Sequence, residues 1–284
     1  MHKKKKNEVS CFSEYDSLQN VILCEPRFMR ISQVINETQR RYHKENIQVE
    51  VAIAQHNKFV EALKHYGIET HILPSKKEYP EQVFTRDIGF AVGENLFISD
   101  MKMPIRQGEE GILKEWLNTM GINYIDLVED QTEGGDVIID KNTVYIGISE
   151  RTTAGAIDKI QSHVPDYIII PIPIKKEILH LDCIFNIISQ SEALIYKDGL
   201  DEQQYKLLAS RFDLIHVSKE EQFSMGVNVL SLGNKKVISL PQNKEVNLEL
   251  TNRGYEVIEI DFSEIIKSGG SFRCCTMPIK RKTV

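Results

Sequence analysis

A cysteine, a histidine and several acids recur in this chain at nearly constant spacing. Adjacent Cys274 and Cys275 follow two glycines in "SGGSFRCCTMPIK" (268–280), and Asp87, Glu133, His180, Asn228 and Cys274 are 46, 47, 48 and 46 residues apart. Gathered in one cleft, a cysteine, a histidine and several carboxylates form a candidate catalytic set. "HLDCIFN" (180–186) adds Asp182 two residues after His180. On a strand those two side chains share a face, so both are expected to point inward. "TEGGDVII" (132–139) places two glycines beside Glu133, where the backbone can turn tightly or a ligand can pass close.

The elements that must position these residues form a repeat. "FAVGENLFI" reads as a hairpin, "EGILKEWLNTMG" as an amphipathic helix and "NYIDLV" as a strand. The series returns as "DVIIDKNTVYIGIS", "TTAGAIDKIQSHV" and "DYIIIPI", then more weakly as "CIFNIISQSEALIY", "DEQQYKLLASRF" and "DLIHVS". "VNVLSLGNKKVISL", "NKEVNLELTNRG" and "YEVIEID" form the clearest copy. Glycine or asparagine at hairpin tips and glycine at helix ends support the assignment. A fifth unit requires joining the chain ends: "SFRCCTM" pairs with "LQNVILCEP", followed by a helix over about 48–65 and the strand "IETHIL". The predicted fold is therefore α/β, a five-bladed pseudo-symmetric propeller of strand-strand-helix-strand units. Equivalent positions in such a repeat lie at one end of the array, so the five polar residues are expected to converge on the axis.

Composition narrows the function classes. The 284 residues, 41% of them hydrophobic, suffice for a substantial core without staples. Residues 1–10 are expected to be a flexible basic tail, and 11–284 one catalytic domain. The net charge of −6 argues against broad nucleic-acid affinity. No apolar run is long enough to span a bilayer, and the start lacks a signal peptide's apolar region. Five unevenly spaced cysteines (11, 24, 183, 274 and 275) form no disulfide framework. A reducing cytoplasmic setting is expected, in which a free thiolate persists. Zinc needs three or four convergent Cys/His ligands, for which adjacent cysteines are poorly arranged. A manganese pair needs clustered Asp and His, of which one H-x-D is found.

The stretches "VFTRDIGF" (83–90), "EGGD", "GISERT", "HLD" and "GGSFRCCTMP" (269–278), in that order, resemble the guanidine-modifying enzymes. These are the arginine deiminases, dimethylarginine dimethylaminohydrolases and arginine:glycine amidinotransferases. The resemblance runs from "CEPR" to "RCCTMP" and implies the five-unit, pentein-like propeller that the repeat suggests independently. It implies Cys274 as nucleophile, His180 as general acid and base, and Asp87, Glu133 and Asp182 as carboxylates gripping a guanidinium, with Glu133 also in the catalytic set. Arg106, nineteen residues past Asp87, and Arg151 in "SERT" are implied to bind the substrate's carboxylate. Asp136 is left between substrate contact and loop fixing, and Asn228 between supporting a loop and touching substrate. Cys275 stands where the family commonly has methionine and is expected to pack in the core. Cys11, Cys24 and Cys183 read as small apolar fillers.

A guanidinium is planar and cationic, and resonance makes its central carbon a poor electrophile. Carboxylates fix its plane through charge-assisted hydrogen bonds and leave one face open to sulfur. The bound cation also favours the thiolate, so activation by the substrate itself is expected. The expected activity is hydrolysis of a guanidino C–N bond of arginine, methylarginine or a related guanidino acid, through a covalent thiouronium, to a ureido product and ammonia or an alkylamine. An amine in place of water makes the alternative, an amidinotransferase. A guanidinium-binding module without turnover is the third reading. None needs a metal or organic cofactor. The expected partner is a small guanidino substrate, without nucleic acid or membrane, and a homodimer is the default assembly.

Overall fold

In the computed structural model, which describes residues 9–283, β1 (Ser17–Cys24) leads through α1 (Glu37–Tyr42) to α2 (Val49–His65) and β2 (Glu69–Leu73). Four similar units follow. The first is β3 (Gly89–Val92), β4 (Asn95–Ile98), α3 (Glu109–Met120) and β5 (Ile125–Asp126). The second is β6 (Val137–Asp140), β7 (Thr143–Ile148), α4 (Ala154–His163) and β8 (Ile168–Pro173), and the third is β9 (Phe185–Ile187), β10 (Glu192–Ile195), α5 (Glu202–Ala209) and β11 (Asp213–His216). After α6 (Lys219–Phe223) come β12 (Leu230–Gly233), β13 (Lys236–Ser239), α7 (Lys244–Asn252) and β14 (Glu256–Glu259), and last β15 (Met277–Lys282).

Among the described residues these strands form five three-stranded sheets. In each, the second strand is central, antiparallel to the first and parallel to the third. Phe97 of β4 pairs with Phe90 of β3 and with Ile125 of β5. The fifth sheet joins the chain ends as expected: Ile22 of β1 pairs with Met277 of β15 and with His71 of β2. β15 packs on β3 and β1 on β12, which closes the ring. Strands β3 and β12 are buried along their whole length, whereas the outer β8 and β14 are largely exposed or half-buried.

Three expectations are corrected. Val9 and Ser10 do not belong to a flexible tail: Val9 is buried, Ser10 donates to the Ile279 carbonyl (2.8 Å), and Arg281 N–H donates to the Ser10 carbonyl (2.6 Å). The basic run 2–6 lies outside the described residues. Cys274 is not on a strand: 272–275 form a turn and β15 begins at Met277. Likewise His180 and Asp182 are not strand neighbours. His180 caps a 3₁₀ turn over Leu181–Cys183, and β9 begins at Phe185. The cause is local hydrogen bonding, Cys183 N–H to the His180 carbonyl (3.1 Å) and Thr276 N–H to the Arg273 carbonyl (3.1 Å), which turns each segment toward the axis before its strand starts.

An aromatic trio anchors the Cys274 turn. Phe272, fully buried, stacks on Phe262 with centroids 4.4 Å apart and lies 5.3 Å from Phe59 of α2. Phe272→Ala is expected to lower the unfolding free energy by about 3–5 kcal/mol. A denaturant titration checks this; a loss below about 1 kcal/mol would mean that the trio does not hold the turn.

Candidate active site

Five turns deliver the site, each just ahead of the first strand of its unit. Their backbones are cross-tied: Arg86 N–H donates to the Cys274 carbonyl (3.0 Å) and Gly134 N–H to the Asp87 carbonyl (3.1 Å). Asp87, Arg106, Arg151, His180 and Cys274 line one narrow pocket with about 10 Å³ of free volume, together with Glu81, Phe84 and Gly270. A cavity of about 800 Å³ lies outside it and shares Ile35, Asn36, Arg151, Leu179 and Gly269 with it. Glu133 and Asp182, both fully buried, stand behind the wall.

His180 lies between two acids. Its Nε2 is 2.8 Å from Glu133 Oε2 and its Nδ1 is 3.7 Å from Asp87 Oδ1. Polar groups of Asp87, Glu133 and His180 fall within 4.8 Å of one another. Burial alone would lower the imidazole pKa, but the carboxylates of Asp87, Glu133 and Asp136 outweigh it and raise the pKa to about 9. Burial would raise the Glu133 pKa; the hydrogen bond and charge of His180, with Arg151 and Arg106, lower it to about 2. The pair is therefore imidazolium and carboxylate at neutral pH. His180 Nδ1 and Asp87 Oδ1 are buried without a hydrogen-bond partner.

The Cys274 thiol donates to Asp182 Oδ2 at 3.6 Å. Burial, then the charges of Asp182 and Asp87, push its pKa well above that of a free thiol. The resting sulfur is thus a thiol, as the need for activation by a cationic substrate predicts. Gly270 has no room for a side chain, because a Cβ there would meet Phe84 at 2.5 Å and the Cys274 Cβ at 3.0 Å.

The remaining expected residues divide by what they touch. Arg151 reaches Glu133 Oε1 (3.4 Å) and the Ile35 carbonyl (2.8 Å). Arg106 is already held by Asp87 Oδ2 (2.5 Å), Glu109 Oε2 (2.8 Å) and the Phe84 carbonyl (3.2 Å). Asp136 lies outside the pocket wall and accepts from Leu181 N–H (2.9 Å) and the Ser149 hydroxyl (2.6 Å), which ties the His180 turn to the "SERT" loop. Asn228 also faces backbone: its Oδ1 accepts from Cys274 N–H (3.2 Å) and its Nδ2 donates to the Asp182 carbonyl (3.3 Å). Cys275, Cys11 and Cys24 pack in apolar clusters. Cys183 is more than filler, because its thiol donates to Asp182 Oδ1 at 3.7 Å.

Sequence reasoning missed three groups. Glu81 lines the pocket and accepts from the Ser268 hydroxyl (2.8 Å) and Gln39 Nε2 (2.9 Å). Helix α1 and the residues before it cover the pocket through Ile35 and Asn36. Glu14, Arg86 and Arg273 form a buried ion cluster. Only Glu81 carried a signal, as an acid six residues before Asp87.

A family model described as N,N dimethylarginine dimethylhydrolase, eukaryotic, matches residues 25–281. The uncharacterized protein YkgA of Bacillus subtilis is 52% identical over 278 residues, 98% of this chain and 97% of the relative. The arginine deiminase of Bacillus cytotoxicus is 29% identical over 265 residues, covering 72% of this chain and 63% of that enzyme's length. In structure, the N-terminal domain of ArgZ, a cyanobacterial arginine dihydrolase, superposes with a TM-score of 0.86 at 24% identity, covering 94% of this chain and 98% of that one. SxtG, an amidinotransferase of Microseira wollei, superposes with a TM-score of 0.83 at 17% identity over 98% of each chain. Among the described residues no helix is long and apolar enough to cross a membrane. A buried cysteine beside Asp182, sharing a pocket with Asp87 and His180 of an Asp-Glu-His cluster, is consistent with cysteine-dependent chemistry on guanidino groups. With the family match spanning nearly its whole length, this chain belongs to the N,N dimethylarginine dimethylhydrolase family of guanidine-modifying enzymes.

Proposed function

We propose that this protein hydrolyses a guanidino C–N bond of arginine, a methylated arginine or a related guanidino acid. The observation that carries the reading is that Cys274 shares one narrow pocket with Asp87 and His180, whose Oδ1 and Nδ1 have no hydrogen-bond partner. A guanidinium N–H satisfies Asp87 Oδ1. Its positive charge offsets the acids that hold the thiol protonated, and Asp182 Oδ2 is the acceptor in reach for the thiol proton. The thiolate adds to the guanidino carbon. Imidazolium His180 gives its Nδ1 proton to the departing amine, and the C–N bond breaks to leave a thiouronium on Cys274. Water then adds to that carbon, neutral His180 takes one of its protons, and the C–S bond breaks as the remaining hydroxyl proton passes to sulfur, which releases the ureido product and the Cys274 thiol; the proton held on Asp182 leaves with the amine as an ammonium. Glu133 orients His180 throughout and favours its charged form at rest and after each return of the proton. Arg151, at the pocket mouth, receives the substrate's carboxylate.

The test is a panel of arginine, methylated arginines and shorter guanidino acids, assayed for ammonia, methylamines and ureido product, with rapid quench and mass spectrometry of Cys274. An adduct on Cys274 with ureido product supports the reading. Product that forms only when an amine such as glycine is present would make the protein a transferase, and neither adduct nor product across the panel would overturn it. Gly135 offers a further check. A Cβ there would lie 2.6 Å from His180 Nδ1 and 2.9 Å from Asp87 Oδ1. Gly135→Ala is expected to cut kcat by about 100-fold through displacement of the imidazole, with the denaturation midpoint nearly unchanged.

A further inference from the structure

We infer that Arg273, the residue before the nucleophile, is a positioning residue that holds Asp182 at the pocket and places a positive charge against its carboxylate, braced by Glu14 and Arg86. The inference rests on the hydrolase reading for its consequence in turnover, but not for its geometry. Arg273 is among the largest fully buried side chains. Its Nη2 donates to Glu14 Oε1 (3.3 Å) and to the Val137 carbonyl (3.1 Å), while its Nε lies 3.7 Å from Asp182 Oδ2. The Cys274 thiol donates to that same Asp182 oxygen at 3.6 Å. Chain neighbours thus reach one carboxylate oxygen, one with a guanidinium and the other with a thiol.

Charge balance explains the arrangement. Arg86 also grips Glu14, at 3.2 Å, and Arg281 is buried close by with backbone carbonyls of Asp16 and Ser231 as its acceptors. Glu14 alone cannot neutralise these cations, and Arg273 Nε and Nη1 and Arg86 Nε have no hydrogen-bond partner. Asp182 takes up the excess. Burial holds the Asp182 carboxyl above the usual carboxylate range; Arg273, ahead of His180, opposes that shift, Asp87 adds to it, and removing Arg273 would favour the protonated acid further. The neighbouring thiols of Cys274 and Cys183 both donate to this carboxylate. A neutral Asp182 could neither accept the thiol proton nor hold a guanidinium by charge.

The experiment labels aspartate carboxyls with ¹³C and follows Asp182 by NMR across pH, with Asp182→Asn to assign the signal. Arg273→Met is expected to move the Asp182 titration upward by at least about one pH unit. At pH 7 it should reduce kcat/KM by at least tenfold, with the ratio to wild type recovering as pH rises. In an Asp182→Asn background, Arg273→Met should cost little more. Arg273→Gln, which can still donate to the Val137 carbonyl, is read instead if the Met variant does not accumulate folded. An unmoved Asp182 titration overturns the inference even if the protein turns over guanidino substrates. A shifted titration in a protein that turns over none sustains it while the hydrolase reading fails.

Discussion

Cys274→Ser is expected to reduce turnover by about 10⁴-fold or more while substrate affinity changes by no more than a few-fold. The hydroxyl is nearly isosteric and can still donate to Asp182, so the pocket keeps its shape and its charge. It does not yield a nucleophile, because a serine hydroxyl ionises far above the pH at which a bound guanidinium can bring a thiol into play, and His180 is held as an imidazolium by Asp87, Glu133 and Asp136 rather than free to act as its base. Calorimetry on the variant measures binding, and mass spectrometry after quench should find no adduct where the wild type has one. Residual turnover above about one per cent of wild type would assign the nucleophile elsewhere. Equal binding by wild type and variant, with no adduct or product from either, would favour a binding module.

The fold was legible because each unit solves the same burial problem at nearly the same length. The helix expected over 48–65 is α2 over Val49–His65, and joining the chain ends into a fifth blade is met by β1 pairing with β15. Helices α1 and α6 were not legible: six and five residues are too short for a periodic face to stand out. The site was read in position but not in conformation. A spacing of 46 to 48 residues says where His180 and Cys274 fall, not that each sits on a turn rather than a strand. The brace below the pocket was invisible for another reason. Arg86 and Arg273 meet Glu14 across 72 and 259 residues of chain, and no local pattern signals such a contact. Arg106 shows the intermediate case. The resemblance implied a substrate-binding arginine there, and the structure adds the ion pair with Glu109, three residues on at the start of α3, that holds its side chain.

His180→Asn should lower kcat by about 10²–10⁴-fold and also remove a pH dependence of folding. The imidazole pKa is about 9 in the folded protein against 6.5 in the unfolded chain, so the folded state binds the proton more tightly. That contribution is fully present below pH 6.5 and is lost as pH rises through about 9. Its size is on the order of 3 kcal/mol, within a protein whose other groups add slopes of their own. Denaturant titrations at pH 6 and pH 9.5 should therefore show wild-type stability falling by more than that of the variant, and the alkaline limb of wild-type kcat/KM should lie near the same pH, where the leaving amine loses its proton donor. Glu133→Gln separates the two effects: it keeps a hydrogen-bonding partner at Nε2 but withdraws the charge, so both the stability slope and the alkaline limb should move toward lower pH. A limb that stays near pH 9 in Glu133→Gln would mean that Asp87 and Asp136 suffice to hold the imidazolium. Equal stability slopes in wild type and His180→Asn would mean that His180 is not charged in the folded protein, and the proton for the leaving amine would have to come from another group.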